Sequence, residues 1–190
     1  MNICVYGSIN EDIKTKYLEH GKELGKKIAE RNHNLVFGGM KTGLLGSIAV
    51  ETAKNKNTSI IGVMPDFFKK IRKEELFEQM TEKLYTKTVS ERKDKFKEVS
   101  DAVIVVPGGI GTFDEFFDAA ELKRWGYFDK PIVLYNMENY YKNMVEMLEY
   151  CIKENIGKND YDQTYKVFDD LDEMFDYIEN YKKNTTKINN

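Results

Sequence analysis

Val103-Ile104-Val105-Val106-Pro107-Gly108-Gly109-Ile110-Gly111-Thr112-Phe113-Asp114-Glu115 joins a short apolar run, a glycine-rich loop and the opening of a helical stretch. The run is β-branched and continuous, which is how a strand buried on both faces reads. Four other runs share that character: Ile3–Tyr6, Leu35–Phe37, Ile60–Met64 and Ile132–Tyr135. Between them lie stretches with helical spacing, at 11–31, 43–56, 90–99, 113–125 and 138–154. In the first of these, Ile13, Tyr17, Leu24 and Ile28 recur along one face. A weaker strand is expected over Lys83–Val89, and a last helix near 170–181. Alternation of this kind implies an α/β fold, a doubly wound parallel sheet with helices on both faces. No repeat, linker or composition break divides the chain. We therefore expect a single domain over 1–181 and a polar tail, 182–190, that frays.

Charge narrows the partners. The 29 basic residues are outnumbered by 32 acidic ones, and the net charge of −3 offers no global attraction to nucleic acid or to an anionic membrane. An anionic ligand must then be held by local positive groups. Two cysteines, Cys4 and Cys151, do not make a disulfide framework. No apolar run approaches the roughly 18 residues that a bilayer span needs. The N-terminus begins at once with a strand-like run and shows no signal peptide. A cytoplasmic location is the expectation, with neither nucleic acid nor membrane as a partner.

In doubly wound sheets ligands bind beyond the carboxyl ends of the strands. Three strand ends carry glycine here. Gly7-Ser8 follows the first, Gly38-Gly39-Met40-Lys41-Thr42-Gly43-Leu44-Leu45-Gly46 the second, and Pro107–Thr112 the fifth. Tight turning explains any one such glycine. Three on one edge, each leading into a helix whose first amides lack partners, suit a phosphate. Two named loops are excluded. In a Gly-x-Gly-x-x-Gly fingerprint starting at Gly109 the third glycine would fall on Asp114, and Lys41-Thr42 follows Met40 rather than the glycine of a Walker loop.

Thr112-Phe113-Asp114-Glu115 fits a capping box, with Thr112 as cap, Glu115 folding back and Asp114 as a first-turn acid. Ser90-Glu91-Arg92-Lys93 opens another helix, and there the cations Arg92 and Lys93 oppose the helix dipole. An anionic ligand explains that placement better than a solvated basic face does. The Ser-x-x-Lys spacing lacks the partner motifs of serine β-lactamases. His20 and His33 have no metal-ligand spacing and read as surface or packing residues, so no metal is expected. Tyr85 and Trp125 are candidates for approaching a base, with packing the plainer reading.

Together these residues resemble the Lonely Guy family. Pro107–Glu115 fits its Pro-Gly-Gly-x-Gly-Thr-x-x-Glu signature and Glu91-Arg92-Lys93 its second motif. Gly38-Gly39 with Gly43-Leu44-Leu45-Gly46 fits its glycine loop, and Val5-Tyr6-Gly7-Ser8 its first strand. The resemblance implies a Rossmann-like domain, a homodimer or larger assembly, and phosphoribohydrolysis of nucleoside 5′-monophosphates. Cytokinin nucleotides, N6-substituted adenosine monophosphates, are common substrates of that family. By position, Arg92 and Glu115 match its catalytic pair, and Gly108, Gly109, Gly111 and Thr112 its phosphate loop. Gly7, Ser8, Gly38, Gly39 and Lys93 are further candidates for substrate or phosphate binding. Two departures put base preference in doubt: Val89-Ser90 stands where the family commonly has Met-His, and Leu122-Lys123-Arg124-Trp125 where it often has Trp-x-Gln-Leu. Some relatives have carried the label lysine decarboxylase. That chemistry needs pyridoxal phosphate and a Schiff-base lysine, and nothing in the sequence points to either, so no cofactor is expected.

The expected reaction cleaves the N-glycosidic bond of a purine nucleoside 5′-monophosphate, giving free base and ribose 5-phosphate. Glu115 would stabilise positive charge on the sugar and orient or deprotonate water, and Arg92 would contact the sugar phosphate or hold substrate and carboxylate in register. The alternative is a nucleotide-binding, sensing or nucleotide-cofactor carrier module without turnover. A homodimer is expected, because the apolar residues of 113–125 cover more than one helical face. The competing reading is that the helix near 170–181 covers that excess face within one chain.

Overall fold

A computed structural model describes residues 1–158 and 160–181. The expected tail, 182–190, lies outside the described residues. Strands and helices alternate from the start: β1 (Asn2–Tyr6), α1 (Thr15–Glu30), β2 (Asn34–Phe37), α2 (Gly43–Thr52), β3 (Ile60–Pro65), a single-turn α3 (Phe68–Ile71) and β4 (Glu82–Thr86). The second half continues with α4 (Val89–Val99), β5 (Ala102–Val105), α5 (Ile110–Arg124), β6 (Ile132–Tyr135), α6 (Lys142–Lys153), β7 (Lys166–Phe168) and α7 (Leu171–Glu179). All strand pairs are parallel, in the order β4-β3-β2-β1-β5-β6-β7. The winding reverses between β1 and β5, so a crevice opens beyond their carboxyl ends. No helix among the described residues is long and apolar enough to cross a membrane.

The period-2 geometry of the strands divides the core into two layers. Ile3, Val5, Leu35, Phe37, Ile104 and Tyr135 face α1, α2 and α7, where Leu24, Ile48, Met174 and Phe175 pack on them. Cys4, Tyr6, Val36, Val103, Val105 and Leu134 face the other way, onto Phe96 of α4, Phe116 and Ala119 of α5, and Tyr141. The helix expected near 170–181, the in-chain alternative for covering the surplus apolar face of 113–125, forms as α7. It lies on the opposite side of the sheet, so it does not cover α5.

The element boundaries differ from expectation in instructive ways. α1 begins at Thr15 rather than 11. Helix α5 begins at Ile110, three residues early, because the chain turns into the helix at an extended Gly109 and not at a Thr112 cap. Helix α6 begins only at Lys142, since Met137–Asn139 form a 3-10 turn in which Glu138 and Asn139 take positive φ. Strand β7 is not legible in the sequence: it is three residues long and half of its face is solvent, so it carries no continuous apolar run.

Candidate active site

The crevice is a cleft of about 340 Å³, within the range of small-ligand sites. Its walls include Gly7, Ser8, Gly38, Arg92, Gly109, Gly111, Thr112 and Glu115, eight residues singled out from the sequence. Four strand-end segments converge there, after β1, β2, β3 and β5, together with the face of α4.

Arg92 and Glu115 form an ion pair, Nη1 to Oε1 at 3.1 Å, with side chains only 18% and 12% exposed. Arg92 is tightly oriented. Its Nε donates to the Val63 carbonyl at 3.0 Å and its guanidinium lies 4.7 Å from the centre of the Phe96 ring. Gly38 makes this possible, since a Cβ there would come 2.6 Å from Arg92 Nη2. Burial pushes the Glu115 carboxyl above its ordinary value; the Arg92 charge pulls the other way without cancelling it. The arrangement is a buried carboxylate beside a fixed cation, and such perturbed pairs concentrate at functional sites.

Helix α5 opens onto the same cleft. Its N-cap is Gly109, with no side-chain capping bond, and the first intrahelical bond runs from Phe113 N–H to the Gly109 carbonyl. The amides of Ile110, Gly111 and Thr112 precede that bond and are oriented for an anion. A Cβ on Gly109 or Gly111 would meet nothing within 4 Å. Gly109 also has φ −97°, which any residue adopts. Neither packing nor backbone conformation requires these two glycines, and their lack of a Cβ leaves the loop amides open on the cleft side.

Other candidates serve the frame. A Cβ on Gly7 would collide with Val106, one on Gly39 would lie 2.5 Å from Met64 Sδ, and Gly43 packs on the backbone of Ile9 at φ +63°. Gly108 leaves room for the Thr112 side chain behind the loop. Gly39, Gly108 and Lys93 do not line the cleft. Lys93 turns to Asp114 at 2.9 Å and Asp118 at 3.4 Å, and Lys97 also pairs with Asp118, so basic α4 and acidic α5 are zipped together.

Thr112 does not cap α5: it is the third helical residue, 5% exposed, and Glu115 is engaged by Arg92 rather than by the first amide. The Thr-x-x-Glu pattern works instead at Thr88–Glu91. Thr88 Oγ1 accepts from the Glu91 amide at 3.0 Å and Glu91 Oε2 accepts from the Lys87 amide at 2.8 Å. Arg92 and Lys93 thus follow the first turn rather than standing in it, and their conflict with the helix dipole is smaller than the sequence suggests.

Tyr85 and Trp125 lie away from the cleft. Tyr85 carries Lys69 over its ring at 3.8 Å, and Trp125 donates to Glu121 at 2.6 Å. His20 bonds Tyr135 and Glu138, and His33 stacks on Phe175 and bonds Glu179. Among the described residues no group of three or more His, Cys, Asp or Glu is placed to hold a metal ion. Met40, Phe68, Ile9 and Asn10 also line the cleft, and the sequence does not single them out. Their only signal is position just after a strand, which does not separate them from ordinary loop residues.

The chain is similar to known proteins in sequence and in fold. The model of a family described as possible lysine decarboxylase matches residues 46–178. A cytokinin riboside 5′-monophosphate phosphoribohydrolase of Rhodococcoides fascians is 34% identical over 140 residues, 74% of this chain and 70% of the relative. One of Arabidopsis thaliana is 32% identical over 152 residues, 80% of this chain and 70% of the relative. A probable one of Oryza sativa subsp. japonica is 31% identical over 80% of this chain, which spans only 60% of that relative. Among solved structures, a molybdenum cofactor binding protein from Rippkaea orientalis superposes with TM-score 0.70 at 19% identity over 94% of each chain. A Moco carrier protein from Chlamydomonas reinhardtii does so with TM-score 0.67 at 21% identity, also over 94% of each. At those identities the likeness is one of fold.

Decarboxylation of lysine would require a lysine in the site to hold pyridoxal phosphate. The cleft's lining contains no lysine, and the nearby Lys93 is committed to two aspartates. The donor set does not fit that cofactor.

Proposed function

The chain belongs to the Lonely Guy family, also described as possible lysine decarboxylase, and from that premise we propose that it hydrolyses the N-glycosidic bond of purine nucleoside 5′-monophosphates. The observation that carries the reading is the Arg92–Glu115 pair set beside the open Gly109–Thr112 amides. The 5′-phosphate sits on the α5 N-terminus. The ribose lies over Arg92 and Glu115. Adjacent strands are about 4.8 Å apart, so β5 and β3 are separated by about 14 Å, room for a nucleotide laid across the sheet edge. The base therefore extends toward Met40 and Phe68, the apolar lining beyond β2 and β3.

As the bond from C1′ to the base nitrogen breaks, positive charge develops on the ribose ring, and the Glu115 carboxylate stabilises it. The same carboxylate takes a proton from water as the water oxygen bonds C1′. The C1′–N bonding pair goes to the base, which takes up a proton from solvent, and Glu115 returns its proton to solvent, so free base and ribose 5-phosphate form. Burial raises the basicity of Glu115, and Arg92 keeps it charged and aimed. Adenosine monophosphate or an N6-substituted form is the substrate class we favour, in keeping with the names of the relatives.

The carrier fold of the structural neighbours supports a second reading, binding of a nucleotide-like cofactor without turnover. A carrier has no need of a buried carboxylate at the sugar. Incubation with adenosine monophosphate, an N6-substituted derivative and adenosine separates the readings by chromatography. We expect free base from the monophosphates and little from the nucleoside. No base from any monophosphate would favour the carrier, and equal rates on nucleoside and nucleotide would remove the phosphate anchor.

A further inference from the structure

Three consecutive carbonyls behind the phosphate loop are each held from outside it. Val106 accepts the Tyr141 hydroxyl at 2.7 Å, Pro107 accepts the Ser8 amide at 3.0 Å, and Gly108 accepts the Tyr140 hydroxyl at 2.5 Å. Tyr141 is 1% exposed and belongs to the core, whereas Tyr140 is 37% exposed and reaches the loop from the turn after β6. That turn is unusual. Glu138 and Asn139 are consecutive non-glycine residues at φ +55° and +58°, in the left-handed region that such residues rarely adopt. It is also clamped. Glu138 bonds Lys16 at 2.7 Å and His20 at 3.2 Å on α1, the Asn136 side chain bonds the Tyr141 amide and Asp169, and the Tyr140 ring meets Tyr17 edge-on at 6.2 Å. Strain held in place by its surroundings points to a role for what it positions.

We propose that Tyr140 is a positioning residue for the anion site. A trans peptide is a rigid plane whose C=O and N–H point in opposite directions. By anchoring the Gly108 carbonyl, the Tyr140 hydroxyl sets the direction of the Gly109 N–H and the entry angle of the chain into α5. The glycines of the loop offer no side chains to hold this orientation themselves, so it is supplied from the neighbouring strand end. The Glu138 clamp to α1 keeps Tyr140 at its post. The proposal rests on the reading that Gly109–Thr112 holds an anion, though not on turnover.

The test is the affinity for ribose 5-phosphate and inorganic phosphate, by calorimetry, alongside thermal melting. Tyr140→Phe keeps the ring and its contacts and removes only the bond to Gly108. We expect affinity for both anions to fall about tenfold, the worth of one hydrogen bond in a positioned site, with the melting temperature little changed. In turnover, KM rises by the same factor and kcat holds. Glu138→Gln, which weakens the clamp, lowers affinity in the same direction by a smaller factor. Unchanged affinity in Tyr140→Phe, or a loss matched by a general drop in melting temperature, overturns the proposal. If the unaltered protein binds neither anion, the anion-site reading falls with it.

Discussion

Glu115 must stay charged in a place that disfavours charge. Burial raises its pKa, and Arg92 opposes that shift from 3.1 Å. Replacing it with glutamine keeps an acceptor for Arg92 and removes the base. Glu115→Gln is expected to lower turnover by about 10²–10⁴-fold while ribose 5-phosphate still binds, and near-full turnover would refute the assignment. The pH dependence follows from the sign of the shift. The carboxylate is lost on acidification earlier than in an ordinary glutamate, so the acid limb of kcat/KM should have its midpoint above 4.5. A midpoint at or below that value contradicts the buried-base reading. The stability side runs oppositely: the contribution of the protonated form is present below the unfolded pKa and is lost as pH rises through the folded one. Phe68 carries the prediction for the base. Phe68→Ala should raise KM for the nucleotide and leave the affinity for ribose 5-phosphate alone; an equal effect on both would place Phe68 in the frame rather than against the base.

At the scale of elements, the decisive feature is an N-terminus without a side-chain cap. α5 starts on Gly109 and its first amides face the cleft, while α4 is capped by Thr88 and packs its cations on the acids of α5. Helices α1, α2 and α6 also lack a side-chain cap, so what sets α5 apart is that its uncapped end opens on the cleft beside Arg92 and Glu115. Gly111→Ala separates ligand binding from helix stability. The added Cβ meets no protein atom within 4 Å, and alanine is the better helix former by about 0.5–1 kcal/mol. Melting temperature should hold or rise by about 2–4 °C, while the affinity for ribose 5-phosphate falls. Retained affinity would show that the glycine serves the turn alone.

For the whole molecule, large apolar side chains stand exposed on α5, at its C-terminal cap Trp125 and on α6. Phe117, Trp125, Met147 and Tyr150 are 42%, 54%, 61% and 54% exposed, and α7 lies across the sheet from them. Isolated exposed apolar residues are ordinary, whereas several on one helical layer are the kind of surface that a second copy covers. We expect a two-fold dimer through this layer, the commonest closed assembly. Light scattering should give twice the chain mass of 22.2 kDa, and Phe117→Glu with Trp125→Glu should halve it. A single-chain mass for the unaltered protein would overturn this.

Five continuous β-branched runs and the helices between them determined the sheet, its parallel sense and the edge on which to look, because burial on both faces imposes that pattern locally. Of Arg92, Glu115, Gly109 and Gly111, only Arg92, placed at a helix opening, departs from what a plain helix needs; a capping box accounts for Glu115 and tight turning for Gly109 and Gly111, so the family resemblance is what singles out those three. Three-dimensional packing decided the rest. Whether Thr112 or Gly109 starts α5 is settled by the backbone at Gly109, which is extended, and by the burial of Thr112 as the third helical residue. Whether Lys93 meets a ligand or an aspartate depends on which helix α4 packs against. Tyr140 and Gly108 are joined only by the adjacency of β5 and β6. Contacts between residues distant along the chain leave no local pattern, so only the folded molecule fixes them.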